Sequence, residues 1–185
     1  MKSKEERRRE LEERIKEINE QIPAMLEDIR NRPKFDKPAP GLFFYAQAGE
    51  EIRDLYVLRK ELDGRWLCAL GSIEVSEADQ FDLVLQPGDW EGGFPYMIEL
   101  WNTVLIEEHW LDKPFYEGMT PESVRRALEL YELFEKGATE IPHLLEWHVG
   151  EGLDLLNYAE TFERQEREHM RKIKIRYGFD SYELN

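Results

Sequence analysis

Leu11, Ile15, Ile18, Ile22, Met25 and Ile29 follow one another at alternating steps of four and three residues, with Glu, Arg and Lys at nearly every position between them. That spacing lays a narrow apolar stripe along one face of a helix, at the heptad period of a coiled coil. Glu10 with Arg14 and Glu12 with Lys16 add favourable charge pairs one turn apart. Pro23 removes a backbone donor and crowds the preceding turn, which predicts a kink or a new helix start there. Two destinations are open to the stripe: a seam with a second copy of the chain, or the chain's own C-terminal helix.

After the stripe the period changes. The run from Arg32 to Gly41 contains three prolines, and each disfavours helix at the residue before it, so 32–41 reads as an extended connector. Leu42–Ala46 and Leu55–Leu62 are rich in aromatic and branched residues, and Asp63-Gly64 predicts a tight turn that brings Trp66–Leu70 back antiparallel. Phe81, Leu83 and Leu85 alternate with Asp82, Val84 and Gln86, the pattern of a half-buried strand ending at Pro87-Gly88. Tyr96–Leu111 fits two strands with Asn102 at a turn, although Met97, Trp101, Val104 and Leu105 also fit a helix.

Helix signals return with Thr120 as a cap and Pro121 in the first position, followed by Val124, Leu128, Tyr131 and Phe134 on one face and a stop at Gly137. Thr139 is a second cap candidate, for a short helix reaching Gly150, and a last helix is expected over about 153–175, with Leu155, Tyr158, Phe162, His169 and Ile173 on one side. The fold expected is α+β. It has an amphipathic, coiled-coil-like helical arm over 1–31, a Pro-rich connector over 32–41, and a body over 42–185. The body is an antiparallel, strand-rich region, a small barrel or a meander, followed by C-terminal helices.

Charge adds a bias the apolar pattern does not show. The 185 residues carry a net charge of −15. Residues 1–32 hold nine basic and nine acidic side chains, 163–185 hold six and five, and 33–162 hold 10 against 26. No Lys or Arg occurs between Arg65 and Lys113, whereas Trp66–Asp112 carries ten Asp or Glu together with Trp66, Trp90, Trp101 and Trp110. Such a segment repels phosphate and attracts basic partners, so no direct nucleic-acid contact is expected through 66–112. Cys68 is the one cysteine, which rules out an internal disulfide framework or a thiolate zinc cage and suits a reducing cytoplasm. No apolar run approaches a membrane span, and Met1–Glu13 lacks the apolar stretch of a signal peptide.

The candidate chemistry is sparse. Glu140 with His143 and Glu166 with His169 have the three-residue spacing of carboxylate-bridged metal bundles, but so acidic a chain gives such pairs by chance, and Pro142 interrupts the first. His143, Glu146 and His148 form a second cluster, with the two imidazoles on different helix faces. Ser72 and Ser76 lie in no nucleophile elbow, Pro87–Phe94 lacks the Lys and hydroxyl of a phosphate loop, and Gly150-x-Gly152 is no dinucleotide fingerprint. No catalytic residue, metal or cofactor is assigned.

Two combinations of indole and carboxylate suit a basic partner: Asp89, Trp90 and Glu91, and Glu107, Glu108 and Trp110 beside His109. An aromatic face next to carboxylates receives Arg or Lys through ring attraction and charge-assisted hydrogen bonds. The competing expectation is that Trp90 and Trp110 turn inward to complete a core.

The order of short strands, the Pro87-Gly88-Asp89 loop and Gly118-Met119-Thr120-Pro121-Glu122 opening a helix resembles, over about residues 42–136, the small barrel of plasmid-encoded endoribonuclease toxins. The resemblance implies RNA cleavage by basic and hydroxyl side chains, whereas this chain has no Lys or Arg over 66–112. The function expected first is therefore a non-enzymatic, cytoplasmic interaction or regulatory protein, an adaptor, antagonist or inhibitor, that binds a basic protein surface and self-associates as a homodimer through Leu11, Ile15, Ile18, Ile22 and Ile29. The alternatives are a toxin-like barrel endoribonuclease, active or degenerate, a nucleic-acid mimic, and a carboxylate and histidine metal protein.

Overall fold

Aromatic and branched residues after Gly41 fold as consecutive antiparallel strands joined by tight turns. In the computed structural model the described residues are 31–90, 94–142 and 159–177, together with Ala24 and Glu27. The chain divides into two compact units, Met1–Pro33 and Lys34–Asn185. In the first, Ala24, Glu27 and Asn31 are helical. The stripe residues Leu11, Ile15, Ile18, Ile22 and Ile29 lie outside the described residues.

In the second unit, β1 (Lys34–Phe35), β2 (Leu42–Ala48), β3 (Glu51–Lys60), β4 (Trp66–Ser72), β5 (Asp82–Leu85), β6 (Tyr96–Ile106) and β7 (Phe115–Glu117) make one sheet in the order β1-β7-β2-β3-β4-β6-β5. Every pairing is antiparallel. The connector expected over 32–41 is partly sheet, because Lys34 and Phe35 pair with Tyr116 and Phe115. With β1 and β5 at its two edges the sheet stays open. A meander runs through β2, β3 and β4, and the closed small barrel does not form, because β5 pairs with β6 alone and never meets β1.

The Asp63-Gly64 turn forms as its residues predict. Gly64 takes φ 91°, a left-handed conformation open to glycine at little cost, and the Glu61 amide donates to the Arg65 carbonyl at 2.7 Å. Tyr96–Ile106 differs from expectation. It is one strand of 11 residues, and Asn102 sits in a bulge instead of a turn, since the β4 register jumps from Ala69↔Thr103 to Leu70↔Glu99.

Helix α1 (Pro121–Glu135) begins where the Thr120 side chain accepts from the Ser123 amide and ends as the Gly137 and Ala138 amides donate to the Phe134 and Leu133 carbonyls. Its Val124, Ala127 and Leu130 cover Phe43, Tyr56, Leu58, Leu67, Leu83 and Ile98 on one face of the sheet. Helix α2 (Ala159–Arg176) covers the other, where Met170, Ile173 and the following Tyr177 pack on Phe44, Leu55, Val57, Cys68 and Phe115. Three layers result, helix on sheet on helix, and all seven residues of β4 are buried.

One glycine is fixed by space. A Cβ on Gly71 would lie 2.7 Å from ring atoms of both Tyr56 and Tyr96. Replacing Gly71 by alanine is expected to cost about 1–3 kcal/mol as overpacking. Replacing Gly64, whose Cβ would meet nothing within 4 Å, costs only the strain of positive φ, roughly 1 kcal/mol. Urea titration of both variants checks that order.

Candidate functional site

The two indole and carboxylate clusters lie far apart. The Asp89 turn precedes β6 and the Glu107 turn follows it, so about 30 Å of strand separates them. Trp90 is 7% exposed, its indole N–H donates to the Phe94 carbonyl at 2.9 Å, and its ring packs on Phe94 and Tyr96. It completes the core under α1, because the extended backbone at Trp90 bridges to Met119 and turns the ring inward. Asp89 holds the turn: its carboxylate accepts from the Gln86 amide, and its carbonyl accepts from the Thr120 amide and the Ser123 hydroxyl. Glu91 lies outside the described residues.

At the other end, Glu108–Trp110 form a short 3-10 turn in which Trp110 stands 48% exposed, its ring 5.1 Å from that of His109. Glu107 is exposed and pairs with His109 at 3.2 Å. Glu108 accepts from the Lys60 ammonium at 3.0 Å and from the Trp66 indole at 3.3 Å, and these donors hold its carboxyl below the usual glutamate range.

The most unusual chemistry was not legible as a site in the sequence. Where α2 crosses the sheet, the buried polar side chains Asp82, Glu99, Asn102, Glu166 and His169 gather with Arg53. Strand alternation aims Arg53 and Glu99 at this face, the bulge aims Asn102 at it, and the three-residue step from Glu166 to His169 puts both on the inner face of α2. Arg53 Nη2 donates to Glu166 Oε1 at 2.9 Å and to His169 Nδ1 at 2.8 Å. A guanidinium cannot accept, so Nδ1 accepts, the ring proton sits on Nε2, and Nε2 donates to Glu51 Oε2 at 2.8 Å. Protonating Nδ1 would offer a hydrogen to Glu166 Oε2, 3.3 Å away, but would set two donors against each other at the Arg53 contact.

Beneath this pair, Asn102 Nδ2 donates to Glu99 Oε2 at 2.9 Å and to the Glu166 carbonyl at 3.2 Å, tying β6 to α2. Asp82, the cross-strand neighbour of Glu99, accepts from the Trp101 indole at 2.8 Å and the Asp79 amide at 2.7 Å. Of the three buried carboxyls, Glu166 is bonded to the Arg53 guanidinium and Glu99 feels its charge, while Asp82 relies on its two N–H donors. Burial pushes Asp82 up to about 7, against the pull of its two N–H donors. Burial, reinforced by the charge of Glu166, raises Glu99 well above the usual glutamate range. Glu99 Oε1 and Glu166 Oε2 are buried with no hydrogen-bond partner.

The Glu166 and His169 pair seen in the sequence therefore surrounds a guanidinium, which occupies the place a metal ion would take. Among the described residues no three of His, Cys, Asp and Glu converge as metal ligands. His143, Glu146 and His148 lie outside them. Cys68 is buried, and burial pushes its thiol far up, which removes it as a nucleophile. Among the described residues, too, no helix is long and apolar enough to cross a membrane. The sequence matches no known family model and no curated protein.

The sign of the pH dependence follows from the raised carboxyls. A group protonated in the fold but ionised in the unfolded chain favours the fold at low pH and loses that advantage as pH rises. For Asp82 the loss spans 3.8 to about 7. The melting temperature is expected to fall between about pH 4 and about pH 7. Glu99→Gln keeps an acceptor for Asn102 and removes one titration, so its fall should be smaller in parallel calorimetric scans.

Proposed function

We propose that this chain is a non-enzymatic acidic interaction protein that engages a basic protein surface through the Glu107–Trp110 turn. The observation that carries the reading is Trp110, 48% exposed in a turn whose Glu107 and Glu108 are also exposed. An indole face beside carboxylates can receive a guanidinium through ring attraction and charge. Each exposed contact of this kind is weak, about 0.5–1 kcal/mol for ring attraction and about 0–1 for an ion pair. Affinity therefore depends on several contacts, and the excess of acid over 33–162 supplies long-range attraction that speeds encounter more than it tightens the complex.

An adaptor, antagonist or inhibitor is the role that fits, in a cytoplasm that keeps Cys68 reduced, with self-association through the stripe from Leu11 to Ile29. Fluorescence anisotropy with a labelled nona-arginine peptide tests the face. Binding should weaken as salt rises, and Trp110→Ala and Glu107→Lys should each weaken it by roughly 3- to 10-fold. Trp90→Ala should instead lower the melting temperature. Binding indifferent to salt, or to both changes at the turn, sinks the reading. Light scattering tests the stripe: a dimer mass that Ile18→Lys converts to a monomer is the expected result.

A further inference from the structure

The sign of the surface reverses at the other end of β3. Lys60 meets the acidic turn through Glu108, whereas Glu51 and Arg53 open beside α2 onto a groove of about 750 Å³. Arg53, Arg164, Arg167, Arg171 and Lys172 line it together with His169. Its two carboxylates, Glu51 and Glu168, are engaged by His169 and by the bidentate grip of Arg171. With Glu166 on Arg53 and Glu163 beside Arg167 also counted, five cations stand against four carboxylates, which leaves the groove locally positive on a chain whose net charge is −15.

We propose that this groove is a binding site for phosphate-bearing anions, held by Arg164, Arg167 and Lys172 along α2 and by Arg53 from the sheet. Lys172 has no carboxylate within ion-pair distance among the described side chains, and Arg164 lines the groove beside it. Arg167 reaches Glu163 only at 3.7 Å and otherwise lies 4.9 Å over the Trp101 ring. Arg53 is oriented by Glu166 and His169, so its guanidinium is fixed before any ligand arrives.

The Glu107–Trp110 turn does not cancel this field, since it lies about 30 Å away at the far end of β3, several times the Debye length of roughly 8 Å at physiological salt. Phosphate is favoured over carboxylate for two reasons. Four of the five cations are arginines, whose planar fork binds phosphate oxygens in pairs, and a phosphate group concentrates about 1.5–2 negative charges where a carboxylate has one. From Arg164 to Lys172 the helix rises about 12 Å, long enough for more than one phosphate. This site is independent of the acidic turn, and either reading can fail without the other.

Isothermal titration of the full chain at low salt is the test, with sodium tripolyphosphate, a twelve-residue oligouridylate and hexaglutamate as probes. Tripolyphosphate is expected to bind, with the Arg164→Glu and Lys172→Glu double variant at least tenfold weaker and Trp110→Ala unchanged. Binding of oligouridylate with a log–log salt slope of about −2 would identify the phosphates as those of a nucleic-acid strand. Binding of tripolyphosphate alone would identify a small phosphorylated ligand. If charge reversal prevents folding by circular dichroism, the Arg164→Gln and Lys172→Gln pair serves in its place. The proposal is overturned if neither phosphate probe binds, if the double variant binds as tightly as the parent, or if hexaglutamate matches tripolyphosphate.

Discussion

The inner strands of the sheet are apolar on both faces, so neither face can be left to water. β4 has all seven residues buried, and β3 carries Leu55 and Val57 on one side with Tyr56 and Leu58 on the other. An antiparallel sheet often leaves one face wet and reads as an alternation of apolar and polar residues. This one cannot, and the need to cover it twice fixes the positions of both helices. The close fit of α1 and the Pro87–Trp90 turn on one side depends on Gly71, which leaves room for Tyr56 and Tyr96 to meet.

The second cover is the more unusual. Beside an apolar end at Met170, Ile173 and Tyr177, α2 carries buried Glu166 and His169, which meet Arg53, Asn102 and Glu99 across the layer. Burying three carboxyls with a single guanidinium, bonded to Glu166, among them costs free energy, which the fold reduces by leaving Asp82 and Glu99 protonated over part of the pH range. Such a contact is directional where an apolar one is not. Asn102 reaches Glu99 and the Glu166 carbonyl together in one register of helix on sheet, so the polar cluster selects that register.

The same crossing sorts the charge of the body. Residues 163–185 are nearly balanced in sequence, but α2 turns Glu166 inward and leaves Arg164, Arg167, Arg171 and Lys172 along a groove. The acidic turn sits at the opposite end of β3. An acidic chain thereby presents a basic face at one end and an exposed indole among carboxylates at the other.

What the sequence determined by itself was local. The Asp63-Gly64 turn, the Thr120 cap and Gly137 stop of α1, and the strand at Leu83 and Leu85 are set by residues within a few positions of one another, where conformational preference acts directly. Tertiary structure decided whatever depends on partners far along the chain. It drew Trp90 inward against Tyr96 and Met119 and turned Asn102 from a turn residue into a bulge. It also joined Arg53 to Glu166 and His169 across more than a hundred residues. A side chain's burial and charge partners are set by which surfaces meet, and a linear pattern records periodicity without recording what it will face.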